Sequence, residues 1–181
     1  MPYPYSLDDY VDSVCQYIKD NSLVKPHVIA HSFGARIVIK ALATRGQIFE
    51  KVVFTGGAGL KPKLTFKKTV KKFTFKTLKL FVPKEKLKRF YSKDYLALSP
   101  IIRESFIKIV NEHLDGYLKD IQNPVLLIYG KKDKETPLYM AKKLRKNIKN
   151  SSLSVYENAG HFAFIDCPMK FNMEVREFLL S

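Results

Sequence analysis

The sequence predicts an α/β protein whose mostly parallel sheet is flanked by helices. Three observations predict it. Short apolar runs at residues 28–30, 51–55 and 125–130 alternate with longer stretches of helical periodicity. The run Val125-Leu126-Leu127-Ile128-Tyr129-Gly130 is apolar without alternation, as a strand covered on both faces must be. Finally, residues 26–40 read as strand, sharp turn and helix, with Ser32 in the turn and small residues, Ala30 and Gly34, at both its second neighbours.

At 181 residues, with 46% hydrophobic and 27% charged residues, the chain can build one domain with a real core, which excludes a disordered or fibrous protein. Met1-Pro2-Tyr3-Pro4-Tyr5 has neither a basic nor an apolar leader region, and no later run approaches a membrane span, so a cytoplasmic location is expected. Cys15 and Cys167 lie near opposite ends and in no CxxC or Cys/His cluster. Both read as free thiols, with no metal site or catalytic cysteine.

In chain order, Ser6-Leu7-Asp8-Asp9 is a helix start: Ser6 can accept from first-turn N–H groups, and the carboxylates suit the positive helix end. Leu7, Tyr10, Val11, Val14 and Ile18 follow at helical spacing, predicting a helix over about 7–19. The strand at 28–30 and its turn come next. Small residues are needed there because a strained turn brings its second neighbours together, and the helix that starts at the turn aims the Phe33 N–H at whatever the serine attacks. Ser32 as a plain N-cap explains the motif equally well when it is taken alone. The helix closes at Arg45-Gly46, and a strand at 51–55 runs into Gly56-Gly57-Ala58-Gly59. Glycines after a strand permit close approach, but no G-x-G-x-x-G is present, so a dinucleotide cofactor is not expected.

From residue 61 to 89 the composition changes: eleven lysines and Arg89 face one acid, Glu85, and supply most of the net charge of +15. Phe66, Val70, Phe73 and Leu80 share a helical stripe opposite Lys68, Lys72, Lys76 and Lys79, predicting a basic amphipathic helix broken at Val82-Pro83. A solvated lysine face on a lid is the plainer reading; contact of residues 61–90 with an anionic membrane surface is the sharper one. Arginine is scarce and no recognition module is present, so nucleic acid is not an expected partner. The organisation predicted is a core of residues 1–60 and 119–181 around a basic helical insertion at 61–118.

Ser99-Pro100 opens a further helix through Ile101, Ile102, Phe106, Ile107, Val110 and Leu114, where His113 reads as a surface residue. After the strand at 125–130 come Asp133 in a loop, a helix over about 138–148, a strand at 153–156, and Asn158-Ala159-Gly160-His161-Phe162. Pro168 then opens a terminal helix.

A serine at a strand-turn-helix, an acid after a later strand and a histidine after the last strand all lie at the carboxyl ends of parallel strands, where they can converge. In A-H-S-F-G-A-R at 30–36, Y-G-K-K-D-K-E-T-P at 129–137, N-A-G-H-F at 158–162 and Y-S-L-D-D-Y at 5–10, the chain resembles the single-lid serine hydrolases of the α/β-hydrolase fold family. The resemblance implies Ser32 as nucleophile, His161 as general base and then acid, Asp133 as the group that orients the imidazole, and the Phe33 N–H as oxyanion donor. Glu135 and Asp166 are alternatives for the acid. It further implies attack on a carboxylic ester or related small acyl compound, with no cofactor and no metal, and a lid at the basic insertion.

Family members carry strands ahead of the capped helix, with a His-Gly loop that donates a second oxyanion N–H, and residues 1–5 contain no counterpart. Ala30 also replaces the usual first glycine of the elbow. Two readings therefore stand: an active serine hydrolase, or a truncated, weakly active or inactive hydrolase-fold protein serving as an interaction or anionic-surface module. The family's strand order further implies an exposed apolar edge at 28–30 and, through it, self-association, binding of a complementary fragment, or marginal stability.

Overall fold

The computed structural model describes residues 3–63 and 97–181. Helix α1, Leu7–Asp20, begins with a reciprocal capping box: the Asp9 N–H donates to Ser6 Oγ at 3.4 Å, and the Ser6 N–H donates to Asp9 Oδ2 at 2.7 Å. Strand β1, Val28–His31, turns directly into α2, Phe33–Arg45, and β2 is Val52–Thr55. After the basic segment come α3, Pro100–Asn111, and a 3₁₀ helix, Asp115–Asp120. The chain then forms β3, Val125–Gly130; α4, Leu138–Asn147; β4, Ser151–Tyr156; the one-turn α5, Ala163–Asp166; and α6, Pro168–Leu180.

The four strands form one parallel sheet in the order β1-β2-β3-β4, with Ala30 opposite Phe54, Phe54 opposite Leu127 and Leu127 opposite Leu153. Alternation along β2 and β3 sends side chains to two cores. Val52, Phe54, Val125 and Leu127 meet residues of α1, α2 and α4 on one face; Val53, Leu126 and Ile128 meet Phe171 and Val175 of α6 on the other. Full burial of side chains such as Phe54, Leu127 and Ile128 contributes about 1.5–3 kcal/mol each before the entropy of ordering is subtracted. The fold is the α/β class with a mostly parallel sheet that the sequence predicts.

Contacts made by Leu114, Lys61, Arg36 and Lys40 bind the two flanks of the basic segment into the core. The Leu114 N–H donates to the Gly59 carbonyl at 2.9 Å, and the Lys61 N–H donates to Asp115 Oδ2 at 2.9 Å. Arg36 Nη1 donates to the Ile109 and Glu112 carbonyls at the end of α3, at 3.0 and 2.9 Å. Lys40, buried on α2, pairs with Asp8 at 2.8 Å and Glu112 at 2.5 Å. Burial alone would lower the Lys40 pKa, but the two carboxylates outweigh it and hold the ammonium charged. The chain thus leaves the core at Lys61 and is back beside its exit at Leu114. Of the predicted insertion at 61–118, residues 64–96, including the basic amphipathic helix, lie outside the described residues.

Two elements differ from the sequence reading. The helix through Leu114 stops at Asn111, because the Leu114 N–H bonds to Gly59 instead of continuing the helical ladder. Strand β4 starts at Ser151, since ladder pairing to Val125 and Leu126 recruits two serines that carry no apolar signal. Among the described residues β1 pairs only with β2. The exposed apolar residue there is Ile29, at 51%; Ala30 is buried and Val28 half-buried, because their side chains turn toward the helices of the larger core.

Candidate active site

The site assembles from three loops at the carboxyl end of the sheet. At the first, Ser32 occupies the N-cap position of α2 with φ 48° and ψ −107°, a strained conformation for a residue other than glycine. Its backbone is clamped: the Ser32 N–H donates to the Thr55 carbonyl at 3.1 Å, and its own carbonyl accepts from the Ala35 and Ala58 N–H groups at 3.2 and 3.1 Å. The side chain makes no capping hydrogen bond, so the serine stands in a cap position without acting as a cap. A Cβ on Gly34 would lie 3.5 Å from that of Ala30, so two small side chains fit here in ordinary contact and larger ones would not. Phe33 begins the helix, where N–H groups have no intrahelical acceptor.

At the second loop, after β3, Asp133 is 5% exposed. Its Oδ1 accepts from the N–H groups of Glu135 and Thr136 at 2.8 and 2.9 Å; its Oδ2 accepts from Thr136 Oγ1 at 2.6 Å and meets His161 Nδ1 at 2.9 Å. Burial pushes this carboxyl up, but the hydrogen bonds from Thr136 and His161 outweigh it and leave its pKa below the ordinary value. An ionised Asp133 on Nδ1 fixes the proton there and leaves Nε2 as the basic nitrogen.

The third loop, after β4, carries His161 and is seated by glycines. A Cβ on Gly130 would fall 2.1 Å from the Gly160 carbonyl oxygen, and one on Gly56, at φ 53°, would fall 3.1 Å from His161 Nδ1. Gly56 therefore makes room for the imidazole, while Gly57 lies against Tyr129, whose Oη donates to the Gly57 carbonyl at 2.7 Å, and Gly59 against Leu114 and Arg36. Asp166 is engaged by the Gly160 N–H at 2.7 Å, holding the histidine loop and not the ring. Glu135 approaches the opposite nitrogen, Nε2, at 3.4 Å. Of the three candidate acids, Asp133 is the one on Nδ1.

The histidine next to the serine on β1, His31, completes the setting. Its ring lies 4.6 Å from that of His161, centroid to centroid, and 5.1 Å from those of Phe162 and Phe164. Its Nδ1 donates to the Thr55 carbonyl at 2.9 Å, and burial, the largest influence, holds its pKa below the ordinary value. Sequence reasoning did not single out His31 or Thr136. The Asp133-x-x-Thr136 spacing is the signal available for the threonine, since a threonine three residues after an acid can fold back on it. The structure brings Asp133 and His161 into contact and sets Ser32 one residue from the ring packed on His161; the serine hydroxyl is not hydrogen-bonded to that imidazole.

A model of the α/β hydrolase fold family matches residues 63–168, more than half of the chain. The chain belongs to that family. It is 36% identical over 74 residues to the AB hydrolase superfamily protein YisY of Bacillus subtilis, an alignment covering 41% of this chain and 28% of that protein. It is 35% identical over 83 residues to the mouse monoacylglycerol lipase ABHD6, covering 44% and 25%. Among solved structures, the esterase EaEST of Exiguobacterium antarcticum superposes with a TM-score of 0.74 at 24% identity, covering 98% of this chain and 75% of that one. This member of the family thus shares the fold along nearly its whole length, while its alignments span about a quarter of those curated relatives.

Proposed function

We propose that the chain is a serine hydrolase acting on a small carboxylic ester or related acyl compound. The observation that carries the reading is the buried Asp133–His161 pair beside a strained serine whose hydroxyl caps nothing. Asp133 holds the imidazole in the tautomer that leaves Nε2 free to take a proton. Ser32 Oγ attacks the carbonyl carbon as His161 accepts its proton; the oxyanion forms against the Phe33 N–H at the positive end of α2. His161 then returns the proton to the leaving alkoxide, and water, deprotonated by the same nitrogen, releases the acyl group from Ser32. The relatives named as esterase and monoacylglycerol lipase support an ester as the substrate class.

A second reading, a weakly active or inactive hydrolase-fold protein acting as an interaction module, is favoured by the Ser32 hydroxyl, which makes no hydrogen bond to the His161 imidazole. Labelling with a fluorophosphonate, mapped by mass spectrometry, separates the two. The hydrolase reading expects stoichiometric modification of Ser32 that is lost in Ser32→Ala and His161→Ala; absence of labelling in folded protein overturns it.

A further inference from the structure

Asp133 Oδ2, the oxygen that meets His161 Nδ1 at 2.9 Å, serves a second donor as well. That donor is the Thr136 hydroxyl, at 2.6 Å. The shorter of the two bonds therefore leads away from the histidine. Thr136 is 4% exposed, and its own N–H donates to Asp133 Oδ1 at 2.9 Å, so its backbone and side chain together engage both oxygens of one carboxylate. Its Oγ1 also lies 3.4 Å from His161 Nδ1, beside the same N–H that Asp133 accepts. Burial raises the Asp133 pKa, and among the bonds that lower it the one from the Thr136 hydroxyl is the largest. A carboxylate oxygen that accepts a short charge-assisted bond on one side has less charge to offer a donor on the other.

We infer that Thr136 is a positioning residue for His161: its hydroxyl takes up part of the Asp133 charge and so sets how firmly the carboxylate holds the imidazole. Its effect on rate rests on the serine-hydrolase reading above, whereas its effect on the ring does not require Ser32 to react. Without the hydroxyl, Oδ2 keeps His161 as its one side-chain donor among the described residues, and the buried charge acts on the imidazole undivided. That favours the imidazolium, because an opposite charge and a hydrogen bond to the charged form act in the same direction. An imidazolium already carries a proton on Nε2 and cannot take one from Ser32, so too strong a hold on the ring stops it acting as a base. The other titratable groups facing the ring are Glu135 of the same loop, 3.4 Å from Nε2, and His31 of β1, 4.6 Å between centroids. Gly56, after β2, brings no charge, and Tyr129, which feels the Asp133 charge, donates its hydroxyl to the Gly57 carbonyl. Substitution at Thr136 alters none of these groups.

The test removes the hydroxyl and leaves the backbone bond. Thr136→Val keeps the side-chain shape and the N–H to Oδ1, and Thr136→Ser keeps the hydroxyl. The chain has four histidines, so the His161 ring can be followed by proton–nitrogen NMR of the full chain and assigned through His161→Ala. In Thr136→Val the titration midpoint of that ring should rise by about one pH unit, and Thr136→Ser should restore it. The acid limb of fluorophosphonate labelling at Ser32 should move with it, lowering the rate about tenfold at pH ~6 and less at pH ~9. A threonine that only braces the loop would lower the urea midpoint on substitution without moving either pH dependence. Thr136→Cys, a weaker donor, should give a smaller shift and takes the place of the valine variant if that one does not fold. An unchanged or lowered ring midpoint in a folded variant overturns the role, as does a serine variant that behaves like valine. If the wild type is not labelled but the ring midpoint still rises in Thr136→Val, the hydrolase reading fails and Thr136 keeps its hold on the ring. If labelling is present and the midpoint is unmoved, the role of Thr136 fails alone.

Discussion

Ser32 and Asp133 each sit in a place that is costly to maintain, a left-handed backbone in one case and a buried carboxylate in the other. Four hydrogen bonds offset the burial of Asp133, and the one to His161 is the contact on which its proposed role rests. Asp133→Asn keeps the shape but loses the charge that holds the imidazole, and should lower the rate of fluorophosphonate labelling by about a thousand- to ten-thousandfold with the fold retained. The same carboxyl sets a pH dependence. Its folded pKa lies below the unfolded one, so its stabilisation is complete above the unfolded value and is lost as pH falls through the folded one. Urea midpoints should therefore drop more steeply below about pH 5 in the wild type than in Asp133→Asn. Gly56→Ala combines a positive φ with a methyl 3.1 Å from His161 Nδ1; it should cost about 1–2 kcal/mol in stability and a larger share of labelling.

At the scale of elements, the site depends on two crossings. Where β3 ends, Gly130 lets the histidine loop pass so close that any Cβ would overlap the carbonyls of Ala159 and Gly160. Gly130→Ala must move that loop, and should destabilise by more than about 3 kcal/mol while abolishing labelling at Ser32. The other crossing joins α2 to α3. Arg36, four residues after Ser32, donates to two carbonyls at the end of α3, so the helix that starts at the proposed nucleophile also anchors the chain returning from the basic segment. Arg36→Ala should cost about 2 kcal/mol in urea denaturation, and Arg36→Lys should recover only part of it, because an ammonium lacks the planar guanidinium fork.

For the whole molecule, 32 basic residues against 17 acidic ones mean that the folded chain repels itself. Raising sodium chloride from about 0.02 to 0.2 M should screen that repulsion and raise the thermal midpoint, most of the gain arriving by about 0.15 M, where the Debye length is ~8 Å. A midpoint that falls over this range would mean that ion pairs such as Lys40 with Asp8 and Glu112 outweigh the net repulsion. Among the described residues, no helix is long and apolar enough to cross a membrane.

The sequence by itself determined the order of strands and helices, the parallel sheet and the loops that carry Ser32, Asp133 and His161. Each of these is written in local signals: a period of two or of 3.6, a capping serine, a glycine or proline that stops an element. Local signals also marked Gly56–Gly59 as a place of close approach without saying what approaches. Only the tertiary structure decided that Gly56 meets the imidazole, Gly57 meets Tyr129 and Gly59 meets Leu114, that Asp133 and not Glu135 or Asp166 takes Nδ1, that His31 packs on the same ring, and that Ile29 is the residue exposed at the edge. Those outcomes rest on which loops meet across a sheet. The pairing of strands far apart in the chain sets that, and no period or spacing within one segment encodes it.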